Sequence, residues 1–402
     1  MALLSVADAL ECVLAHAVPL PGEEAPLTEA DGRVLSYALK ARRKQPPADV
    51  SAMDGYAVRA DDVANVPARL KIIGEVAAGR PFARAVAHGE AARIFTGGVV
   101  PEGADTVVIQ EFTKREGDCV EVQRPTAKGR HIRAQGLDFT TGDVLLPAGH
   151  RLTARDLALA AAMNHPLVPV HRRPKVAMFA TGDELVPPGV EPGPGQIVSS
   201  NTFAFAALAR AEGAEAVDFG IVADRLDDTV AAIRRAREFG ADILVTSGGA
   251  SVGEYDLVQK AFAAEGMELS FWKLALRPGR PLMHGRLGAM QVLGVPGNPV
   301  SAFVCVFLFL VPLIRRLAGR RDLAMPTESA VLGCDLPQND ERADYLRATL
   351  NEGPEGFVAT PFPVQDSSMM APLAKADCLL IREPYEPAAK AGGRCQIVKF
   401  ER

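Results

Sequence analysis

The sequence predicts a multidomain α/β protein whose main domain is a parallel sheet wrapped by helices. The chain has 402 residues, more than one hydrophobic core usually serves, so several domains are expected. Hydrophobic residues make up 48% of the chain and charged residues 23%, as in ordinary globular proteins. Between about residues 175 and 319, short β-branched runs alternate with helical stretches, a pattern typical of a helix-covered parallel sheet.

Hydrophobic runs and capping residues assign the elements of this main domain in chain order. We expect strands at 176–180, 217–222, 241–247, near 268–272 and at 290–295. We expect helices from Asn201 to Gly213, from Asp227 or Asp228 onward, and in the stretch ending at about Ala264.

A last helix is predicted to begin with Asn298 as its N-cap and Pro299 as its first residue. It is almost wholly apolar as far as Ile314. That length is short of the roughly 18 to 20 residues that a bilayer span requires. We therefore expect a buried core helix and no membrane span.

The rest of the chain divides into three further segments. Residues 46–137 alternate short apolar runs with Gly and Pro, which predicts a small β-rich domain. Residues 1–45 and 138–173 are helix-prone, beginning with a helix opened by Ser5, so the β-rich domain is predicted to interrupt a helical one. Residues 323–402 again contain short strands and turns, which predicts a compact β-barrel or sandwich.

Charge and cysteine usage exclude several function classes. The chain has 44 basic and 49 acidic residues, so no global positive field exists to hold nucleic acid or an anionic membrane. The six cysteines are scattered and the seven histidines lack metal-ligand spacing, which argues against zinc and favours a reducing cytoplasm. Asp8 and Glu11 lie where a secretion signal would be basic, so we expect no export signal.

The first candidate functional loop is Thr181-Gly182-Asp183-Glu184, directly after a predicted buried strand. Ligands of open α/β sheets bind beyond the carboxyl ends of the strands, so these carboxylates are expected at the rim of a binding site. The alternative for Asp183 is that it caps a turn.

The second candidate loop, at 247–253, begins Ser247-Gly248-Gly249 and exposes backbone N–H groups at a helix start. Such a turn binds phosphate, although glycine pairs also occur there for steric reasons alone. Asp256 lies three residues beyond the loop, and Asp224 ends the preceding strand unit. Carboxylates beside phosphates suit Mg²⁺, while the alternative for each lone Asp is helix capping.

Two more loops are candidate anion sites. Lys273 precedes the rigid turn Arg277-Pro278-Gly279-Arg280-Pro281, whose guanidinium groups match oxyanion geometry and stay charged. A solvated surface run would not need the prolines and glycine between the charges. The turn Pro296-Gly297-Asn298-Pro299-Val300-Ser301 offers a helix N-terminus and a hydroxyl to an anion.

Outside the main domain, three polar loops have a structural and a functional interpretation of equal weight. SAMDGYAV (51–58) contains an Asp54-Gly55 turn that is also consistent with a plain hairpin. Thr96-Gly97-Gly98, and Arg133 with Asp138, are similar polar loops.

Linked motifs across essentially the whole chain resemble the molybdopterin molybdenumtransferases, the MoeA family that includes the gephyrin E domain. They are SAMDGYAV (51–58), the Thr96 loop, TGDEL (181–185), SGGASVGEYD (247–256), FWKLALRPGRP (271–281) and PGNPVSA (296–302), in the order and approximate spacing of that family. The resemblance implies molybdate insertion into adenylylated molybdopterin, with Mg²⁺ present and release of AMP.

The resemblance also implies a domain organisation and partners. It implies a helical dimerisation domain (1–45 and 138–173), an inserted β-rich domain (46–137), a three-layer α/β molybdopterin-binding domain (174–322) and a C-terminal β-barrel (323–402). It implies a homodimer with its active cleft between subunits. Transient contacts with the pterin adenylyltransferase and with molybdoenzyme maturation proteins are expected as well.

The same resemblance assigns roles to individual residues. The catalytic set is Asp54, Thr96, Asp138, Glu184, Asp224 and Asp256, of which Glu184, Asp224 and Asp256 are the candidate Mg²⁺ ligands. Substrate binding falls on Arg133, Ser247, Gly248, Gly249, Lys273, Pro296, Gly297, Asn298 and Pro299. Molybdate binding falls on Arg277, Arg280, Pro281, Ser301, Arg347 and Ser367.

One departure from the family concerns the cationic turn, which usually reads Lys-Pro-Gly-Lys-Pro. Here Arg277 and Arg280 replace both lysines. Arginine can grip an oxyanion through two N–H groups where lysine acts as a point charge, so a change in oxyanion affinity or selectivity is expected.

Three alternatives to the transferase remain open at this stage. A pterin adenylyltransferase or a nucleotide hydrolase of the same fold would share the glycine and PGNP loops, but neither is expected to carry SAMDGYAV or the C-terminal domain. A gephyrin-like scaffold is the alternative from another class. Intact acids in every candidate loop argue against a purely structural role.

Overall fold

The centre of the fold is a mixed sheet in the computed structural model, which describes residues 3–80, 82–249 and 257–400. The strands at one side run parallel, as predicted. The two strands at the other side pair antiparallel, and a tight turn at Gly288 joins one of them to the last parallel strand. In order across the sheet, the strands are Glu215–Val222, Lys175–Thr181, Ile243–Ser247, Met290–Val295, Met283–Leu287 and Glu268–Trp272.

Helices cover both faces of this sheet, as the predicted three-layer domain requires. Along strand Lys175–Thr181, Val176 and Met178 belong to one hydrophobic core, and Ala177 and Phe179 belong to the other. This alternation follows from the two-residue period of a strand. One core includes helices Val6–Leu14, Asn201–Ala211 and Pro299–Leu317; the other includes helices Leu226–Phe239 and Leu257–Ala264.

Two helix starts differ from the sequence prediction. Asn201 is the first helical residue and not the N-cap, which is Ser200, because the Asn201 amide group bonds to other loops. Arg225 is the N-cap of the next helix, and Asp227 and Asp228 lie in its first turn. There the two carboxylates interact favourably with the positive end of the helix dipole.

The apolar helix runs from Pro299 to Leu317, and 89% of it is buried inside the protein. Its start at Asn298 and Pro299 and its place in the core are confirmed. The expected length was too short, because the helix continues to Leu317 and by length and composition alone could cross a membrane. A π-helical segment, Val306–Leu310, precedes Pro312, whose ring lacks the N–H that an α-helix requires.

A buried charge network joins two of these helices at their carboxyl ends. Glu212, just after helix Asn201–Ala211, accepts hydrogen bonds from Arg315 at 2.7 and 2.9 Å and from Arg320 at 2.5 Å. The side chains of all three residues are at most 9% exposed. This network fixes the carboxyl ends of the two helices relative to each other. The opposite ends of both helices lie at the functional site described below.

The N-terminal part contains less helix than expected. Helix Val6–Leu14 begins at the predicted cap Ser5, whose Oγ accepts the Asp8 N–H, but it packs into the core of the α/β domain. The remainder pairs short strands around helix Ala154–Ala162 and the 3₁₀ turn Leu27–Glu29. These pairs are Gly22–Pro26 with Leu167–His171, and Leu39–Lys40 with Val144–Leu146.

Residues 50–133 form the predicted β-rich unit. Strand Val50–Ser51 pairs with Ile132–Arg133 where the chain enters and leaves it. The 3₁₀ turns Ala60–Val63 and Gln110–Phe112 connect strands. Across its sheet the strands are Thr106–Ile109, Gly55–Val58, Glu90–Ile94, Ala68–Val76, Cys119–Val122 and Thr113–Glu116.

The C-terminal part is a closed β-barrel and not a sandwich, the other architecture that the sequence allowed. Strand Ala343–Gly353 pairs on one side with Gly356–Pro361 and on the other with Cys378–Arg382, so the sheet closes. Helix Met370–Lys375 lies between the last two of these strands in sequence. The barrel strands, in order, are Ala343–Gly353, Gly356–Pro361, Thr327–Leu332, Arg394–Lys399 and Cys378–Arg382.

We expect Glu212→Ala to lower the free energy of unfolding by about 3–5 kcal/mol, because it leaves buried guanidinium groups without their carboxylate. Urea unfolding measures this change. The matched control is Glu238→Ala, which removes an exposed carboxylate from helix Leu226–Phe239 in the other core. Equal stabilities of the two variants would contradict the structural role of Glu212.

Candidate functional site

A cavity of about 850 Å³ opens at the carboxyl ends of the parallel strands. Open α/β sheets bind their ligands in crevices at this edge. Turns that are far apart in sequence line the cavity, so the sheet topology assembles it. Of the predicted site residues, it is lined by Glu184, Asp224, Ser247, Gly248, Gly249, Pro281, Pro296, Gly297, Asn298 and Pro299.

The Gly248-Gly249 turn forms one wall of the cavity and requires glycine. Gly248 has φ +94° and Gly249 has φ +64°, which side chains disfavour. A Cβ on Gly248 would lie 2.5 Å from the Thr181 carbonyl oxygen, and a Cβ on Gly297 would lie 3.7 Å from the Gly248 Cα. Glycine is therefore required at this turn for steric reasons. Because the turn has no side chains, its backbone is exposed at the cavity wall, where a phosphate can approach it.

Asn201 ties this turn to the start of the apolar helix. Its Nδ2 donates to the Ser247 Oγ and to the Gly297 carbonyl oxygen, each at 2.8 Å. Ser247 is buried, and both bonded atoms belong to turns that line the cavity. Asn201 therefore fixes the distance between two walls of the site.

The loops that carry Glu184 and Asp224 are also linked. The Asp183 carboxylate accepts the Asp224 backbone N–H at 3.1 Å, so Asp183 does stabilise a turn. In doing so it holds Asp224 on the same cavity as Glu184. The Glu184 carboxylate lies over Gly182, where a Cβ would be 2.3 Å from its Oε2.

The predicted acid cluster is only partly within the described residues. Glu184 and Asp224 line the cavity, but Asp256 lies outside the described part of the chain. Over residues 3–80, 82–249 and 257–400, no group of three or more His, Cys, Asp or Glu side chains is arranged to hold a metal. Mg²⁺ requires only one or two protein carboxylates, so the oxygen donors of Glu184 and Asp224 fit this ion.

Asn298 connects the apolar helix to a loop of the barrel, residues 364–369, which we call the serine loop. Asn298 Nδ2 donates to the Ser367 Oγ at 3.1 Å, and the Val300 N–H donates to the Ser367 carbonyl oxygen at 3.0 Å. Pro299 has no N–H to donate. The helix start therefore offers an anion fewer N–H groups than the sequence suggested, while the neighbouring Ser368 lines the cavity.

The cationic turn 277–281 reaches the cavity through Pro281. Arg280 precedes Pro281 and is exposed. Arg277 points elsewhere: it forms ion pairs with Asp344 and Asp340 of the C-terminal region. Its hydrogen bonds to Asp344 raise the Arg277 pKa further above its usual value. Both arginines of the turn are exposed, but within the described chain only Arg277 pairs with carboxylates.

Three other predicted residues lie outside the residues that line the cavity in the described chain. The Lys273 ammonium stacks on the Trp272 ring, 4.8 Å from its centroid. Ser301 is buried in the first turn of the apolar helix, and Arg347 is buried beneath the serine loop.

Asp54 and Thr96 meet in the β-rich unit. The Asp54 Oδ1 accepts the Thr96 N–H at 2.8 Å and the Thr96 hydroxyl at 2.7 Å. These two hydrogen bonds lower the Asp54 pKa, with a smaller contribution from Arg93. The Asp54-Gly55 turn is no hairpin, because strands Val50–Ser51 and Gly55–Val58 belong to different sheets. In the described chain, neither Asp54 nor Thr96 lines the cavity.

Arg133 and Asp138 lie where the chain leaves the β-rich unit. Arg133 is exposed on strand Ile132–Arg133, and the exposed Asp138 donates its backbone N–H to the Gln45 carbonyl oxygen at 2.9 Å. Neither residue lines the cavity in the described chain.

Several cavity residues were not predicted from the sequence. Asn201 was assigned a capping role, and Ser368 is adjacent to the predicted Ser367. Thr181 lies in a predicted loop, and its buried Oγ1 has no hydrogen-bond partner among residues 3–80, 82–249 and 257–400. The remaining polar residues follow a Pro/Gly-rich loop that gave no periodic pattern; they are Ser199 and Ser200.

Three family models match the chain in succession. Residues 4–164 match the MoeA N-terminal region (domain I and II), residues 177–316 match a probable molybdopterin binding domain, and residues 329–400 match the MoeA C-terminal region (domain IV). The matches therefore extend over each of the structural units described above.

Individual proteins agree with these models. A molybdopterin molybdenumtransferase of a Nostoc species is 41% identical over 81% of this chain and 76% of its own length. One from Haemophilus influenzae is 33% identical over 95% of both chains. A crystal structure of a MoeA protein from Pyrococcus horikoshii covers all of both chains, with a TM-score of 0.87 at 30% identity.

We expect Gly248→Ala to weaken the binding of inorganic pyrophosphate at least about tenfold, because the new Cβ must displace the Thr181 backbone and the cavity wall. Calorimetric titration measures the affinity. Gly240→Ala is the matched control, since Gly240 also has a positive φ, of +72°, but open space around its Cβ position. Equal affinities of the two variants would exclude the glycine turn as a phosphate site.

Proposed function

This chain belongs to the molybdopterin molybdenumtransferase family, and we propose that it inserts molybdate into adenylylated molybdopterin with release of AMP. The observation that carries the proposal is the shared cavity at the strand ends. There a glycine turn, two carboxylates and the edge of a cationic turn line one space. A pyrophosphate, a divalent cation and an oxyanion are the groups that such a set accommodates.

The chain's own residues act chiefly by positioning the substrates. The backbone at Gly248 and Gly249 is the candidate cradle for the pyrophosphate, and Asn201 holds it against the apolar helix. The exposed Arg280, beside the cavity, attracts molybdate in a protein whose net charge is −5. Holding the reactants together supplies most of the rate gain in such a mechanism.

Glu184 and Asp224 are the described residues that would hold Mg²⁺, with Asp256 as a third candidate. When bound, the cation would withdraw negative charge from the phosphoanhydride and make AMP a better leaving group. Hard cations prefer carboxylate oxygens, which is the donor set that the cavity offers.

We further propose a homodimer in which a second copy supplies Asp54 and Thr96. Both residues form an ordered pair with a lowered Asp54 pKa, yet they lie outside the cavity lining of the described chain. A symmetric dimer lets one subunit's β-rich unit complete the other's cavity.

The proposal includes a cellular setting. All six cysteines are free thiols, which is typical of a reducing compartment and supports a cytoplasmic location. The chemistry requires a pterin adenylyltransferase to supply the substrate and molybdoenzyme maturation proteins to accept the product, so transient contacts with both are expected.

We expect AMP release from adenylylated molybdopterin and Mg²⁺ to require molybdate. Glu184→Gln should lower the turnover at least roughly a hundredfold and leave thermal unfolding unchanged, because only a site carboxylate is lost. Glu191→Gln removes an exposed carboxylate from the following loop and is the matched control. AMP release that ignores molybdate would identify a nucleotide hydrolase of the same fold instead.

Subunit complementation tests the composite site. Asp54→Asn and Glu184→Gln are each expected to be inactive, but co-refolding equal amounts should restore roughly a quarter of the parent activity. Half of the dimers are then mixed, and each mixed dimer has one site with both residues intact. A mixture as inactive as its components would show that both residues serve the same subunit's site.

A further inference from the structure

Arg93, in the β-rich unit, connects the two chain segments that carry Asp54 and Thr96. It lies on the strand that leads to Thr96, three residues before it, and is the cross-strand neighbour of Tyr56. Its Nη1 donates to the Gly55 carbonyl oxygen at 3.1 Å. A side chain from the Thr96 segment is thereby bonded to the backbone next to Asp54.

A second hydrogen bond of Arg93 reaches Gln110, on the other side of Asp54. The Arg93 Nη2 donates to the Gln110 Oε1 at 2.7 Å. The Gln110 backbone N–H in turn donates to the Asp54 carbonyl oxygen at 3.1 Å. A planar guanidinium directs its N–H groups at fixed angles, so two such bonds fix the backbone at Asp54 and Gly55 relative to the strand that carries Arg93.

Two aromatic rings hold the Arg93 guanidinium in this place. Its central carbon lies 5.2 Å from the centroid of the Tyr56 ring and 4.9 Å from that of Phe95. Tyr56 is buried, whereas Arg93 and Phe95 are half-buried. Contact with aromatic rings stabilises the cation where water covers it only in part. The side chain is therefore held by packing as well as by its hydrogen bonds.

The charge of Arg93 also acts on the Asp54 carboxylate. The two hydrogen bonds from Thr96 lower the Asp54 pKa most, and the charge of Arg93 lowers it further. An ionised carboxylate only accepts hydrogen bonds, which suits the N–H and the hydroxyl that Thr96 donates to it. Arg93 thus supports the same Asp54–Thr96 pair through its bonds and through its charge.

We propose that Arg93 is a positioning residue for the Asp54–Thr96 pair. It fixes the backbone around Asp54 through Gly55 and Gln110, so that the carboxylate keeps one orientation. This inference rests on the proposed function, in which a second copy of the chain supplies Asp54 and Thr96 to the cavity. The sequence resemblance assigned no role to Arg93.

Arg93→Met tests the proposal by separating kcat from KM. Methionine still packs on both rings, but it lacks the charge and the N–H groups. We expect kcat to fall roughly tenfold while the KM for molybdate changes little, because molybdate binds in the cavity of the other subunit. Arg93→Lys keeps the charge but cannot bond both acceptors in one plane, so its kcat should also stay low. A parent-like kcat in either variant would overturn the proposal.

Arg124→Met is the matched control. Arg124 belongs to the same β-rich unit and stacks on the Phe112 ring, 4.4 Å from its centroid. The change removes an arginine from an aromatic ring without touching the bonds of Arg93. We expect a parent-like kcat. A loss as large as that of Arg93→Met would show a general effect on the unit and contradict the positioning role.

Subunit complementation shows on which half of the composite site Arg93 acts. Co-refolding Arg93→Met with Glu184→Gln should give roughly a quarter of the parent activity, because each mixed dimer has one intact site. Co-refolding Arg93→Met with Asp54→Asn should give no more than the average of the two, since both changes lie in the same unit. Recovery in this second mixture would overturn the proposal. So would an inactive first mixture when Asp54→Asn and Glu184→Gln do complement each other.

Hydrogen exchange of the Thr96 and Gln110 amides tests the same anchoring without turnover. Both N–H groups donate to Asp54. In Arg93→Met we expect both amides to exchange at least about tenfold faster, and in Arg124→Met at the parent rate. Parent-like exchange in Arg93→Met would overturn this inference and leave the proposed function intact. Faster exchange in a protein whose parent never releases AMP would overturn the proposed function alone.

Discussion

The site depends on close backbone contact between turns at the carboxyl edge of the sheet. Gly248 packs against the Thr181 carbonyl oxygen on one side and approaches Gly297 on the other, with no room for a Cβ toward Thr181. Parallel strands end at the same edge, so their turns converge there, but side chains would hold them apart. Glycine has no side chain, so the turns can approach each other closely. This contact fixes the positions of the polar side chains around the cavity.

Two helices that begin at the cavity stabilise this contact, because each is fixed at both of its ends. Helices Asn201–Ala211 and Pro299–Leu317 begin at the cavity, where Asn201 and Asn298 bond to neighbouring turns. At their far ends both helices are tied through Glu212. A helix is stiff along its axis, so fixing both ends limits tilting at the site. The buried ion network therefore contributes to the geometry of a cavity that it does not touch.

The sequence predicted those features that depend on residues close together in the chain. Strand period, the Asn298-Pro299 helix start and the placement of Glu184, Asp224 and Gly248 at one edge all follow from neighbouring residues and sheet topology. The hydrogen-bond partners of a side chain do not follow from its neighbours in sequence. Arg277 bonds to Asp344, 67 residues away, and the Asn201 amide bonds to turns 46 and 96 residues away. The hairpin strand Met283–Leu287 was missed because its run contains His284 and Gly285, which obscure the β pattern.

Arginine at position 277 is compatible with this site because its charge is neutralised where it stands. A lysine there would present a mobile point charge, whereas the guanidinium satisfies both Asp344 oxygens in one plane. If both arginines of the turn faced the cavity, any dianion would be drawn in by charge alone. Arg277 is instead paired with Asp344 and Asp340 of the C-terminal region, which compensate its charge. Under the proposed function, discrimination among tetrahedral oxyanions would depend on how Arg280 and Ser367 are placed.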